Sequence, residues 1–221
     1  VRSERKYRFD ASTQCPLSLY EQIQLGRLSE VTARLDMRGA IPATSSNFSL
    51  KSSPESFLIS RSGKHKRALN PGDFLLVDLE GRALAQVAPK PSDETLLHAI
   101  IYKRCPWIRC ILHCHAPELE KLSPPSVRIE GHELLKALGI RDHTTAYEMY
   151  IYENSQDMKT LAIQIDKRQF SEPSAEGGPV LFVLAQHGIY CGGESVERAE
   201  AYLESVLHLL KHSRISSPPS N

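Results

Sequence analysis

Apolar residues recur along this chain with two different periods. From Pro16 to Arg38, Leu19, Ile23, Leu28, Val31 and Leu35 fall about one helical turn apart, which predicts a helix with these residues on its buried side and Gly39 as its stop. Short apolar runs at Phe57–Ser60 and Phe74–Leu79 predict strands, with Glu80-Gly81 as a turn after the second. Pro91-Ser92-Asp93-Glu94 opens a helix that runs to about Arg104, with Ser92 as its N-cap and two acids in the first turn. Strands are predicted at Cys110–His115, Glu148–Tyr152 and Val180–Ala185, and helices at His132–Leu138 (closed by Gly139), Met158–Lys167 and Glu194–Lys211. In the last helix Val196, Leu203, Val206, Leu207 and Leu210 share a side. Alternating strands and helices predict one layered α/β or α+β domain over residues 16–212. Residues 1–15 form an N-terminal extension, and 213–221 a polar, proline-rich tail expected to be disordered.

The run Ile111-Leu112-His113-Cys114-His115 carries the first chemical signal. Side chains on a strand alternate with a period of two, so His113 and His115 share a face while Cys114 points the other way. Two imidazoles on one face can close on a metal ion. A third, His187 in Gln186-His187-Gly188, would complete three neutral nitrogen ligands with a fourth position left open, the pattern of a catalytic zinc site.

Composition narrows the function classes. At 221 residues the chain suffices for one sizeable core, and a net charge of +1 with no long basic run speaks against nucleic acid as a partner. No segment approaches the length of a membrane span, and the basic start lacks the apolar stretch of a secretory signal. Five cysteines in no paired framework are expected to be free thiols in a reducing cytoplasm.

Three elements could receive an anion. Ala43-Thr44-Ser45-Ser46-Asn47-Phe48-Ser49 is dense in small hydroxyl and amide side chains. Ser60-Arg61-Ser62-Gly63-Lys64-His65-Lys66 combines a glycine, which permits close backbone approach, with Lys64 and Lys66. The third is Ser92 at a helix N-terminus, where free N–H groups favour phosphate.

These motifs, with Pro91-Ser92-Asp93-Glu94-Thr95-Leu96-Leu97-His98, Leu112-His113-Cys114-His115 and His187-Gly188, stand in the order seen in the class II aldolase/adducin family, and the chain resembles that family from about Leu17 to His212. Ser62-Gly63-Lys64-His65-Lys66, Lys90 to His98, Glu130-Gly131-His132-Glu133 and Asn154-Ser155-Gln156-Asp157 make it most similar to the branch that dehydrates 5-methylthioribulose 1-phosphate in methionine salvage. The resemblance implies an αβα sandwich around a mostly antiparallel sheet, and a homotetramer with active sites between subunits. It implies one Zn²⁺ per subunit on His113, His115 and His187, with the substrate phosphate held by Asn47, Ser62, Gly63 and Ser92 and Lys64 nearby. Glu133 is implied as acid/base, and Glu94 as the aldolase-type carboxylate. The chain departs from the family in carrying Ser46 where the phosphate turn usually has glycine; if φ is positive there, serine costs about 1 kcal/mol or more.

The chemistry suits these residues on its own terms. A ketose 1-phosphate has a carbonyl beside a hydroxyl carbon; Zn²⁺ polarises the carbonyl, a base takes the C3 proton, and an acid protonates the hydroxyl leaving C4. A class II aldolase or 4-epimerase on another sugar phosphate is the alternative enzyme. A non-catalytic module such as the adducin head is the alternative of another class, against which the histidines and Glu94 argue.

Overall fold

The computed structural model describes residues 17–85, 91–92, 94–142, 145–171 and 177–216. Helix α1 (Leu19–Met37) opens with a capping box, Ser18 and Glu21 each accepting from the other's backbone N–H. It ends before Gly39, whose φ of 72° no side chain tolerates cheaply. Strands β1 (Asn47–Ser53), β2 (Ser56–Ser60) and β3 (Phe74–Asp78) follow, then α2 (Thr95–Arg104), β4 (Cys110–Cys114) and β5 (Ser126–Glu130). A 3-10 turn (Glu133–Leu138) leads to β6 (Tyr147–Tyr152), α3 (Met158–Gln169), β7 (Val180–Leu184), β8 (Gly188–Gly193), α4 (Val196–His212) and β9 (Arg214–Ser216).

One nine-stranded sheet has the order β3-β2-β1-β4-β8-β7-β6-β5-β9, with every pairing antiparallel except β6–β7. Strand alternation sorts its side chains into two cores. Cys110, Leu112, Cys114, Leu181 and Val183 pack with α1 and α4, while Ile111, Val180, Phe182, Leu184 and Tyr190 pack with α2 and α3. This is the expected αβα sandwich.

Several expectations change. Leu19 and Ile23 are 73% and 48% exposed, so the buried stripe of α1 begins only at Leu25. Asn47-Phe48-Ser49 opens β1 rather than forming a turn, because it pairs with Leu112 and Ile111 of the central β4. Ser92 is not the cap of α2: its carbonyl accepts from Thr95 N–H, and Glu94 holds the cap position. The tail does not fray at 213, because Arg214–Ser216 pair with Glu130–Arg128 as an edge strand; 217–221 lie outside the described residues, as do 1–16, Asp93 and His143. Strand β8 escaped the sequence reading because its three glycines are poor strand formers. Strand β5 has the alternation of a half-exposed strand, Val127 and Ile129 inward with Arg128 and Glu130 outward.

Candidate active site

The register of β4 against β8 builds the imidazole cluster. His113 pairs with Tyr190 and Cys114 with Ile189, so the next step sets His115 beside Gly188 and the hairpin residue His187. The three rings lie 4.8–5.1 Å apart, centroid to centroid, and their ligand atoms lie within 4.8 Å of one another. Gly188 is required by close approach: a Cβ there would sit 2.5 Å from the Cys114 carbonyl oxygen and 2.7 Å from His113 Cε1. Gln186, in the same turn, holds a φ of 53°.

Hydrogen bonds set the tautomers. His113 Nδ1 donates to the Ile189 carbonyl at 3.0 Å, and His187 Nδ1 to the Asn154 side-chain oxygen at 3.2 Å. Each Nε2 therefore presents a lone pair. Both face a carboxylate: His187 Nε2 is 3.0 Å from Glu94 Oε1, and His113 Nε2 is 3.5 Å from Oε2. His113 Nε2 is buried without a hydrogen-bond partner. Lone pairs aimed at an anion repel unless a cation lies among them, so the donor set fits a divalent metal ion. Burial pushes His113 down to about 3 and His115 to about 4, so both rings are neutral at neutral pH, the form that can bind a metal.

Glu94 is delivered by α2, whose N-terminal N–H groups favour an anion. Burial alone would raise its carboxyl. The polar groups that face it, the His187 and His113 rings and the Asn47 amide, outweigh this and hold it well below the usual range. One turn along α2, buried His98 shares the same face. Here a polar chain runs through the core. Asn47 Nδ2 donates to Glu94; its Oδ1 receives His98 Nε2–H. His98 Nδ1 then accepts from Ser49 (2.7 Å), whose oxygen accepts from Tyr102 (2.8 Å). Every donor points toward Glu94, which requires a neutral His98, and burial does push it down to about 3. Sequence reading assigned these residues no such link, since they meet only through the β1–β4 register and the packing of α2.

Neutral His98 has a consequence for stability. Between its unfolded value of 6.5 and its folded value of about 3, the unfolded chain binds a proton that the fold refuses. Stability contributed above pH 6.5 is therefore lost as pH falls, by up to about 1.4 kcal/mol per pH unit. Urea unfolding of metal-free protein between about pH 6.5 and 4.5 should show a shallower acid slope for His98→Gln than for wild type. Equal slopes would mean that folded His98 takes up its proton.

A cavity of about 200 Å³ opens beside the triad and is shared by Glu94 and His115. Asn47, Ser62 and Ser92 line it, together with Ser46, Arg61 and Lys66. Gly63 makes the adjoining turn at a φ of 70° but is not in the lining. Lys64 is turned away, paired with Asp73 at 2.8 Å. The buried cation is Lys66, 1% exposed, whose Nζ donates to the Lys64 carbonyl at 2.6 Å and to that of Thr44 at 3.3 Å. It pairs with no carboxylate among the described residues, and burial lowers its pKa. Ser46 has a φ of 73°, the condition under which serine at the family's glycine position is strained, and its hydroxyl is buried without a partner.

Glu133 is not brought to this cavity within the chain. It begins the 3-10 turn after β5, four strands from β4, or roughly 19 Å at ~4.8 Å per strand. Its side chain is 68% exposed and pairs with Lys136.

The chain is 38% identical over 188 residues to "Methylthioribulose-1-phosphate dehydratase" of Acidiphilium cryptum, covering 83% of this chain and 86% of the relative. It is 37% identical over 210 residues to the protein of the same name from Xanthomonas oryzae pv. oryzae, covering 90% of each. Among solved structures it resembles L-fuculose-1-phosphate aldolase from Thermus thermophilus, with a TM-score of 0.65, 22% identity, and 86% and 92% of the two chains covered. A sugar-phosphate aldolase from Thermotoga maritima aligns with a TM-score of 0.60 and 15% identity over 87% and 94%. Residues 26–212 match the Class II Aldolase and Adducin N-terminal domain, and the chain belongs to that family.

Proposed function

We propose that this chain is a hydro-lyase that converts 5-methylthioribulose 1-phosphate to the 2,3-diketo-5-methylthiopentyl 1-phosphate of methionine salvage, with one Zn²⁺ on His113, His115 and His187. The observation that carries the reading is a cavity lined by Glu94, buried Lys66 and His115 of the imidazole triad, in a chain 35–38% identical to relatives bearing that activity's name. When bound, the metal acts as a Lewis acid that draws charge from the substrate's carbonyl.

The chain's own residues do the rest. Lys66 and the hydroxyls of Ser62 and Ser92 hold the phosphate; Lys66, rather than Lys64, supplies the charge, because a buried ammonium lacking a counter-ion is costly until an anion arrives. Glu94, kept anionic by Asn47 and α2, orients the substrate hydroxyl beside the carbonyl. Glu133 takes the proton from C3 and returns it to the hydroxyl leaving C4. Water departs, and the enol left between C3 and C4 tautomerises to the diketone. Since Glu133 lies far from its own triad, it serves the site of a neighbouring copy in a homotetramer whose active sites fall between subunits. The buried free thiols at Cys105, Cys110, Cys114 and Cys191 suit a reducing cytoplasm.

Turnover of methylthioribulose 1-phosphate by metal-loaded protein tests the reading. The expected product is the diketone with its carbon chain intact. Two carbon fragments would make the protein an aldolase, and no turnover would reject the assignment.

A further inference from the structure

The phosphate cavity contains a residue that is costly to keep. Ser46 adopts a φ of 73°, and its side-chain oxygen is buried with no hydrogen-bond partner. Glycine would avoid both penalties at once. Strain and an orphaned donor in one side chain, at the wall of a cavity that also holds Lys66 and Arg61, mark a residue held for what it binds. The residue is 7% exposed, and the cavity it lines is the open space beside it.

We infer that the Ser46 hydroxyl is a further donor to the substrate's phosphate, and that the chain trades stability for this contact. The inference rests on the cavity being the phosphate site, and adds to it a determinant absent from the usual glycine-bearing turn. In the free protein the hydroxyl has no acceptor. Rotation about one side-chain bond among its three staggered positions directs it to an anionic oxygen once the phosphate is seated between Lys66 and Ser62. The backbone there cannot relax, because Asn47, the next residue, is fixed by β4 on one side and by Glu94 and His98 on the other.

The test uses metal-loaded protein with inorganic phosphate as the probe, read by thermal shift and titration calorimetry. Ser46→Gly is expected to melt roughly 2–4 °C higher than wild type without phosphate, as the strain is released. It should bind phosphate about tenfold more weakly. Ser46→Ala, which keeps the backbone strain and removes only the hydroxyl, should lose the same affinity. Lys66→Met separates the two readings. If Lys66→Met weakens phosphate while both Ser46 variants bind it as wild type does, the role of Ser46 is overturned and the cavity stands. If all three bind like wild type, or wild type binds none, the phosphate site and the inference fall together. A Ser46→Gly protein that melts lower than wild type would overturn the trade.

Discussion

His115→Ala protein is expected to lose its metal and its activity together. Removing His115 should cost the fold less than removing His113, since His115 is half-buried while His113 is fully buried and stacked on Tyr190. Removing one of three imidazoles should weaken the metal by well over the ~10–100-fold that loss of a supporting contact costs. Asn154→Ala, which removes only the acceptor for His187 Nδ1, should stay within that range. Metal content after dialysis against a graded chelator series reads both variants. Retention of one ion per chain by His115→Ala, with turnover intact, would show that the three imidazoles are not the ligands.

The second large effect concerns Glu133. Glu133→Gln should lower turnover about 10²–10⁴-fold while the metal stays bound. Because the residue is exposed and four strands from the triad, the fold should be unaffected. Mixing then shows where it acts. His115→Ala and Glu133→Gln subunits, each inactive alone, should recover about a quarter of wild-type activity when unfolded and reassembled together at equal ratio, since a ring of such subunits forms intact sites between unlike neighbours. No recovery from mixed oligomers would place Glu133 in its own subunit's site or outside catalysis. A larger loss in Glu94→Gln than in Glu133→Gln would transfer the acid/base role to Glu94.

The features legible in the chain are those that local geometry sets. The period of two puts His113, on β4, and His115, just past its end, on one side and Cys114 in the opposite core, and this needs no partner strand to be known. Gly39 and Gly139 end their elements by taking positive φ, a property of a single residue. The positive φ of Ser46 is not local in this sense: only the glycine that the resembling family usually carries there hinted at it. The amphipathic stripe of α4 also stood out, because one helix face bears the core-facing residues.

Other features depend on what a segment packs against. Nothing local distinguishes Lys64 from Lys66; the 3-10 turn at Lys66–Ala68 sends one inward and leaves the other to Asp73. Leu19 and Ile23 fit the helical spacing of α1 yet remain exposed, because spacing defines a face and only the neighbouring elements decide how far along that face the core extends. The chain from Tyr102 to Glu94 spans two elements far apart in sequence and exists only through strand register and helix docking. By itself the sequence determined that two histidines share a strand face and that small polar turns punctuate the chain. The tertiary structure brings His187 and Glu94, both named from the sequence, against that face, and it alone decided that Glu133 does not reach the site from the same chain, because distance across a sheet follows strand order rather than position in the sequence.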